Sequence, residues 1–166
     1  MTVKSLYWED VREGAWLPAL TKEVTATTIV YGALASRDFM PVHHDTSFAQ
    51  KQGMQDIFMN ALTTGGWAGR YLTDWTGPEG EMKRVSFRIR VPCFPGDTFT
   101  WTGIVTRKYI EGDLHLVDVE FNAAIEAGSH CSGTATLALP TEVVPEISKA
   151  GGAGHEAEPQ KAHSSQ

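Results

Sequence analysis

The chain has 166 residues, 42% of them hydrophobic and 20% charged, which is typical of one globular domain with its own core. The net charge is -6 and the 14 Lys and Arg residues are scattered, so no nucleic-acid partner is expected. No membrane span is expected either, because no apolar stretch approaches the ~20 residues that cross a bilayer.

The N-terminal 16 residues mix charged and aromatic side chains and lack the apolar core of a signal peptide. Cys93 and Cys131 fall at apolar positions of predicted strands, without a Cys or His at metal-finger spacing. We interpret both as buried free thiols rather than redox groups. These features predict a cytoplasmic enzyme or binding protein.

The first predicted elements are a strand over residues 17–25 and a helix over residues 28–36, capped by Thr27 or Thr28. The helix cannot continue through Pro41, which lacks a backbone donor and pushes Met40 toward extended geometry. A loop must therefore follow this helix.

This loop carries Asp38 and His43, an acid and an imidazole five positions apart on a proline-fixed turn. Two structural roles compete with catalysis: Asp38 capping the turn or pairing with Arg37, and His43 serving as a structural histidine. We favour a general acid/base pair, because the residues stand on a loop where packing roles are scarce.

Asp45 is predicted to cap one or two helical turns that end at Gly53, which gives its carboxylate a structural role. His44 is predicted to point away from the pair. No metal site is expected from His43, His44 and Asp45, since neighbouring side chains rarely converge on one ion.

A long helix is predicted over residues 60–75, with apolar residues at helical spacing over a wide face. Three glycines within five residues, Gly65, Gly66 and Gly69, disfavour a helix by about 1 kcal/mol each and require a packing reason. Close approach to a sheet supplies that reason. Trp67 is then expected to serve as core and pocket wall.

Two-residue alternation follows, first in Val85, Phe87, Ile89 and Val91. Further strands are predicted over residues 99–105, over 114–121 with a bulge at Leu116-Val117, and over 131–139. Helices followed by hairpin-connected strands predict an α+β fold with an antiparallel sheet. Residues 1–140 are expected to form this single domain.

Residues 141–166, including His155 and His163, are expected to form a flexible polar tail without a functional role.

The segment Asp38-Phe39-Met40-Pro41-Val42-His43 resembles the signature loop of the MaoC-like enoyl-CoA hydratases. The resemblance continues through Ala49, Gly53, the long helix and the run from Val91 to Thr98, and so covers most of residues 17–139. The loop over residues 37–45 and the helix end Thr73-Asp74-Trp75 are also similar to the small, dyad-bearing subunits of steroid side-chain enoyl-CoA hydratases.

The resemblance implies a hot-dog fold, in which an antiparallel sheet wraps a central helix. It implies that Asp38 and His43 activate water for addition to a 2-enoyl-CoA thioester, without a cofactor or a metal. It further implies an acyl-CoA substrate, with a bulky or steroid-derived acyl group as one option, and a homodimer or a heteromer with a related hot-dog subunit.

In such hydratases a His-Gly pair starts the central helix, and the aligned residues here are Met59 and Asn60. The implied oxyanion and substrate-binding residues are Met59, Asn60 and Ala61, and Phe39 and Trp67 are expected to wall the pocket. The missing His leaves open a non-catalytic, acyl-binding scaffold subunit. A thioesterase is disfavoured, since such enzymes carry an acidic residue on the central helix and this helix offers only Asp74, near its far end.

Overall fold

The computed structural model describes residues 4–142 of the chain. Residues 143–166 lie outside the described residues, and with them most of the predicted tail, including His155 and His163. The helices are α1 (Ala26–Ala35), α2 (Thr46–Lys51) and α3 (Ala61–Thr76). The strands are β1 (Trp16–Glu23), β2 (Glu81–Ile89), β3 (Thr98–Glu111), β4 (Leu114–Ile125) and β5 (Gly128–Ala138). Short 3₁₀ turns cover Trp8–Asp10 and Pro41–His43.

The five strands form one antiparallel sheet in the order β1-β3-β4-β5-β2, so β1 and β2 are its edges. Alternate side chains of β3, Phe99, Trp101 and Val105, are buried, as are Ala68 and Leu72 of α3. The long helix and the sheet thus share one core. This confirms the predicted α+β hot-dog fold.

Only one of the three helix glycines has the predicted packing role. A Cβ at Gly65 would lie 3.0 Å from Cζ of Phe87, so a side chain there would require the Phe87 ring to shift by a few tenths of an ångström. At Gly66 a Cβ would meet nothing within 4 Å, and at Gly69 only an ordinary contact at 3.9 Å with Met82. The close approach is therefore confined to the first turns of α3.

The cap predicted for α1 is wrong by two or three residues. Thr25 caps this helix, and its side chain accepts a hydrogen bond from the Thr28 backbone N–H at 3.1 Å. Thr27 and Thr28 therefore lie inside the first turn. Threonines at both the cap and the first turn make the boundary ambiguous from the sequence alone.

The bulge predicted at Leu116-Val117 is also wrong. Both residues keep regular pairing with β5, and both are buried. The backbone there is also bonded to the N-terminal segment, because the indole N–H of Trp8 donates to the Leu116 carbonyl at 3.2 Å. The register shifts in the two strand pairs that contain β4 lie elsewhere, between Val105 and Arg107 in β3 and, in the β4/β5 pair, beyond Ala123.

Cys93 and Cys131 are unpaired and fully buried, as predicted. Burial raises the pKa of Cys93 to about 12 and that of Cys131 to about 11, so neither is a thiolate at neutral pH. Among the helices that the structure describes, none combines the length and hydropathy that crossing a membrane requires.

Candidate active site

The C-terminal end of α1 sets the position of Asp38. Arg37 adopts a left-handed backbone conformation with φ 56°, and its N–H donates to the Leu34 carbonyl at 3.1 Å. The Asp38 N–H donates to the Ala33 carbonyl at 2.9 Å. This pair of bonds is the Schellman ending, here built without the usual glycine. It reverses the chain sharply, so that Asp38 leaves the helix on the side of α3.

His43 is held by its own backbone turn and by Phe58. Pro41 starts the 3₁₀ turn, and His43 is only 6% exposed. Its Nδ1 lies 2.7 Å from the Phe58 carbonyl oxygen, and the Phe58 ring packs edge-on against the imidazole. A carbonyl only accepts, so Nδ1 carries the proton. In the neutral ring, Nε2 is then an unprotonated acceptor.

Asp38 and His43 meet directly: Nε2 of His43 lies 3.3 Å from Oδ2 of Asp38. The Asp38 side chain is 27% exposed, which leaves its other face open. A neutral imidazole and a carboxylate are both acceptors at these atoms. A water molecule that donates one O–H to each would satisfy both, which is the arrangement a general acid/base pair requires.

Asn60, at the start of α3, is bonded to the carboxylate of the acid/base pair. Its side-chain oxygen accepts from the Thr63 N–H at 2.9 Å, which caps the helix. Its side-chain N–H₂ donates to Asp38 Oδ2 at 3.0 Å and to Ser36 Oγ at 2.9 Å. The bond from Asn60 is the main reason that the pKa of Asp38 lies below its usual 3.8, ahead of the bond from the Met40 backbone N–H. Asp38 is therefore ionised at neutral pH.

Sequence reasoning considered Asn60 for its backbone N–H and missed what its side chain does. It also missed Ser36. The signal that was present is the residue type: an Asn at a helix N-cap uses its oxygen on the helix and keeps its N–H₂ free for another partner. Nothing in the local sequence indicates that this partner is Asp38.

A cavity of about 510 Å³ opens in front of the pair. Asp38, His43, Asn60 and Ala61 line one side of it. The other walls are largely apolar, formed by Met40, Val42, Met54, Phe58, Ile89 and Pro92, with Arg90 as a charged residue among them. Its size and lining are those of a site for a small organic ligand with a few polar groups fixing its orientation.

Two residues that line this cavity at the start of α3 have unused backbone amide groups. Within residues 4–142, the backbone N–H groups of Asn60 and Ala61 have no hydrogen-bond acceptor. Such groups at a helix N-terminus carry positive potential and suit an oxygen that gains negative charge. The Met59 N–H differs, because it donates to the Cys93 carbonyl at 2.9 Å. Met59 is nevertheless among the residues that line the cavity.

Phe39 and Trp67, the two expected pocket walls, do not line this cavity in the single chain. Phe39 is 64% exposed on the surface. Trp67 packs edge-on against Phe99 at 5.1 Å and lines a second cavity of about 380 Å³ between α1 and α3. Trp67 lies on a face of α3 that does not meet the acid/base pair, and Phe39 projects from the loop into solvent.

The neighbours of the pair have local roles. Asp45 caps α2 and accepts from the Phe48 N–H at 3.0 Å, which confirms its predicted structural role. Nε2 of His44 lies 3.3 Å from the Phe39 carbonyl oxygen, so this ring faces the loop backbone.

Comparison with known proteins identifies the family. A model of the MaoC like domain matches residues 13–128. The chain is 41% identical over 126 residues to the 3-oxo-4,17-pregnadiene-20-carboxyl-CoA hydratase beta subunit of Mycobacterium tuberculosis, covering 76% of this chain and 95% of that protein.

Solved structures give the same picture. The ChsH1-ChsH2 complex of Mycobacterium tuberculosis matches with a TM-score of 0.72 at 41% identity, over 77% of this chain and 98% of that one. The R-hydratase PhaJ1 from Pseudomonas aeruginosa matches with a TM-score of 0.75 at 18% identity, over 96% and 97%, and shows the shared fold. The chain is therefore a member of the MaoC-like domain family.

Proposed function

We propose that this chain is the dyad-bearing subunit of an enoyl-CoA hydratase, which adds water across the double bond of a 2-enoyl-CoA thioester. The observation that carries the proposal is the 3.3 Å approach of His43 Nε2 to Asp38 Oδ2 inside an apolar cavity. The family and the name of the 41% identical relative support this reaction class.

The proposed reaction needs three groups. Asp38 and His43 share one water, and the pair removes a proton from it as the water oxygen attacks Cβ of the enoyl group. A proton from the pair is then delivered to Cα, which leaves Asp38 and His43 in their starting states. Negative charge moves onto the thioester oxygen in the transition state, where the N–H groups of Asn60 and Ala61 are the available donors.

A bulky, steroid-derived acyl group is the substrate class we propose. Support comes from the relative, whose name describes a pregnadiene carboxyl-CoA hydratase subunit. Most of the cavity wall beyond the reactive end is apolar, which suits an apolar acyl group. The unpaired, buried cysteines suit a reducing compartment, and we propose that the enzyme acts in the cytoplasm.

We further propose that a related hot-dog subunit pairs with this chain, as a heteromer or as a second copy. The solved relative is by its title a complex of two proteins, ChsH1 and ChsH2. β2 is an edge strand, and Ile89 at its end, with Arg90 and Pro92 beyond it, lines the cavity of the pair. A partner that adds to this edge would cover the open side of the cavity.

The test is to incubate the purified chain with crotonyl-CoA and with a steroid enoyl-CoA, alone and after co-expression with candidate partner subunits. Loss of enoyl absorbance without release of free thiol supports the hydratase. Release of free thiol would indicate a thioesterase instead. Inactivity with every partner, despite formation of a complex, would favour the non-catalytic scaffold subunit.

A further inference from the structure

His130 is a buried histidine that the proposed reaction does not use. It is only 1% exposed. Along the β4/β5 pair, Ala123 faces Cys131 but Ala124 faces Ser129, so His130 is an extra residue in β5. A bulge of this kind changes the direction of a side chain. It explains why His130 and Cys131, which are adjacent, are both buried.

The hydrogen bonds of this imidazole show which of its two ring nitrogens carries the proton. Nδ1 lies 2.7 Å from the Val91 carbonyl oxygen, which accepts, so Nδ1 carries the proton. Nε2 lies 3.0 Å from Thr64 Oγ1, and in the neutral ring it accepts the hydroxyl proton of Thr64. Burial lowers the pKa of His130, which keeps the ring neutral at physiological pH.

These bonds connect parts of the chain that bear on the reaction. Thr64 belongs to the first turn of α3, and its N–H donates to the Asn60 carbonyl at 3.1 Å. Its hydroxyl also lies 3.2 Å from that carbonyl. The Arg90 N–H donates to the His130 carbonyl at 2.9 Å. One buried residue thus joins the segment that follows β2 to the start of α3, and both line the cavity.

We propose that His130 is a positioning residue: through Thr64 it holds the start of α3 so that the Asn60 side chain reaches Asp38. Its effect on rate rests on the proposed hydratase function. Its effect on Asp38 does not, because the bond from Asn60 to Asp38 is a property of the folded chain. The competing explanation is that His130 only fills the core, in which case the hydroxyl of Thr64 has no bearing on Asp38.

Thr64→Val separates the two explanations, since it keeps the side-chain shape and removes the hydroxyl donor. Removing the imidazole itself would open a cavity and unsettle the fold. We expect the Asp38 pKa, measured by carboxyl ¹³C NMR, to rise because the Asn60 donor is less well held. We expect kcat of the hydratase, in its complex if a partner is required, to fall about tenfold while KM changes less. Thr64→Ser should restore both values.

Thr76→Val is the matched control. Thr76 is another buried threonine of α3, twelve residues later, about 18 Å along the helix axis, with its hydroxyl bonded to local carbonyls. This variant should leave both the Asp38 pKa and kcat unchanged. An Asp38 pKa that does not move in Thr64→Val overturns the proposal, as does an unchanged kcat. If the wild-type protein hydrates no enoyl-CoA, the proposed function fails, and the Asp38 titration alone decides the role of His130.

Discussion

The two ends of α3 are built from different interactions. At its start, Asn60 and Thr64 are buried polar residues whose side chains are hydrogen-bonded to Asp38 and His130. Toward its end, Tyr71 and Leu72 are buried in the hydrophobic core, and the Tyr71 ring lies 5.9 Å from the Trp101 ring of β3. Hydrogen bonds are directional and set the positions of reacting atoms, whereas apolar burial is non-directional and supplies stability. The start of α3 therefore sets the positions of the reacting groups, and its later turns contribute mainly to the stability of the fold.

The largest expected effect tests the polar end. Asp38→Asn and His43→Ala should each lower kcat by about 10²–10⁴-fold, because each removes one member of the acid/base pair. Thermal unfolding should change little in Asp38→Asn, since the side chain is partly exposed and makes few core contacts. Steady-state hydration of an enoyl-CoA, together with calorimetry, measures both effects.

Asp45→Asn is the matched control for Asp38→Asn. It makes the same chemical change in the same loop, but Asn caps a helix about as well as Asp, so α2 and the rate should be preserved. Equal losses of activity in the two variants would mean that activity depends on the total negative charge of the loop and not on Asp38 in particular. Near-normal turnover in Asp38→Asn would remove this residue from the mechanism.

The next effect tests the apolar end. Leu72→Ala should lower the free energy of unfolding by about 2–5 kcal/mol, because Leu72 is fully buried and its truncation leaves a cavity. Urea denaturation followed by tryptophan fluorescence measures the loss. Leu62→Ala, on the same helix but 61% exposed, should change stability by only about 0.5 kcal/mol. Comparable losses in the two variants would contradict the assignment of stability to the buried face.

The smallest effect concerns pH and His130. Its folded pKa lies below the ordinary 6.5, so the unfolded chain binds more protons as the pH falls through that value. The stabilisation by the neutral, buried ring is complete above 6.5 and is lost progressively as the pH falls toward the folded pKa. His130→Gln should therefore flatten the decline of unfolding free energy between about pH 7.5 and 5.5. Parallel declines in the two proteins would show that other groups cause the pH dependence.

Sequence reasoning identified the pair because its signals are local. Pro41 ends a helix and fixes a turn, and Asp38 and His43 stand close on either side of it. The same kind of signal predicted the Asp45 cap, which the structure confirms. Local signals were insufficient where neighbouring residues offer equal alternatives, as with the threonines at the start of α1. They were also insufficient for the bulges in β3 and β5, whose positions depend on the pairing between strands.

By itself, the sequence determined the α+β class, the alternating strands, the long helix and the loop that carries Asp38 and His43. Only the tertiary structure decided that Asn60 bonds to Asp38 across 22 residues and that His130 bonds to Thr64 across 66. It also decided that Phe39 and Trp67 lie away from the cavity. The physical reason is that turns, caps and periodicity depend on adjacent residues, whereas contacts between distant segments depend on how the sheet and the helix pack together.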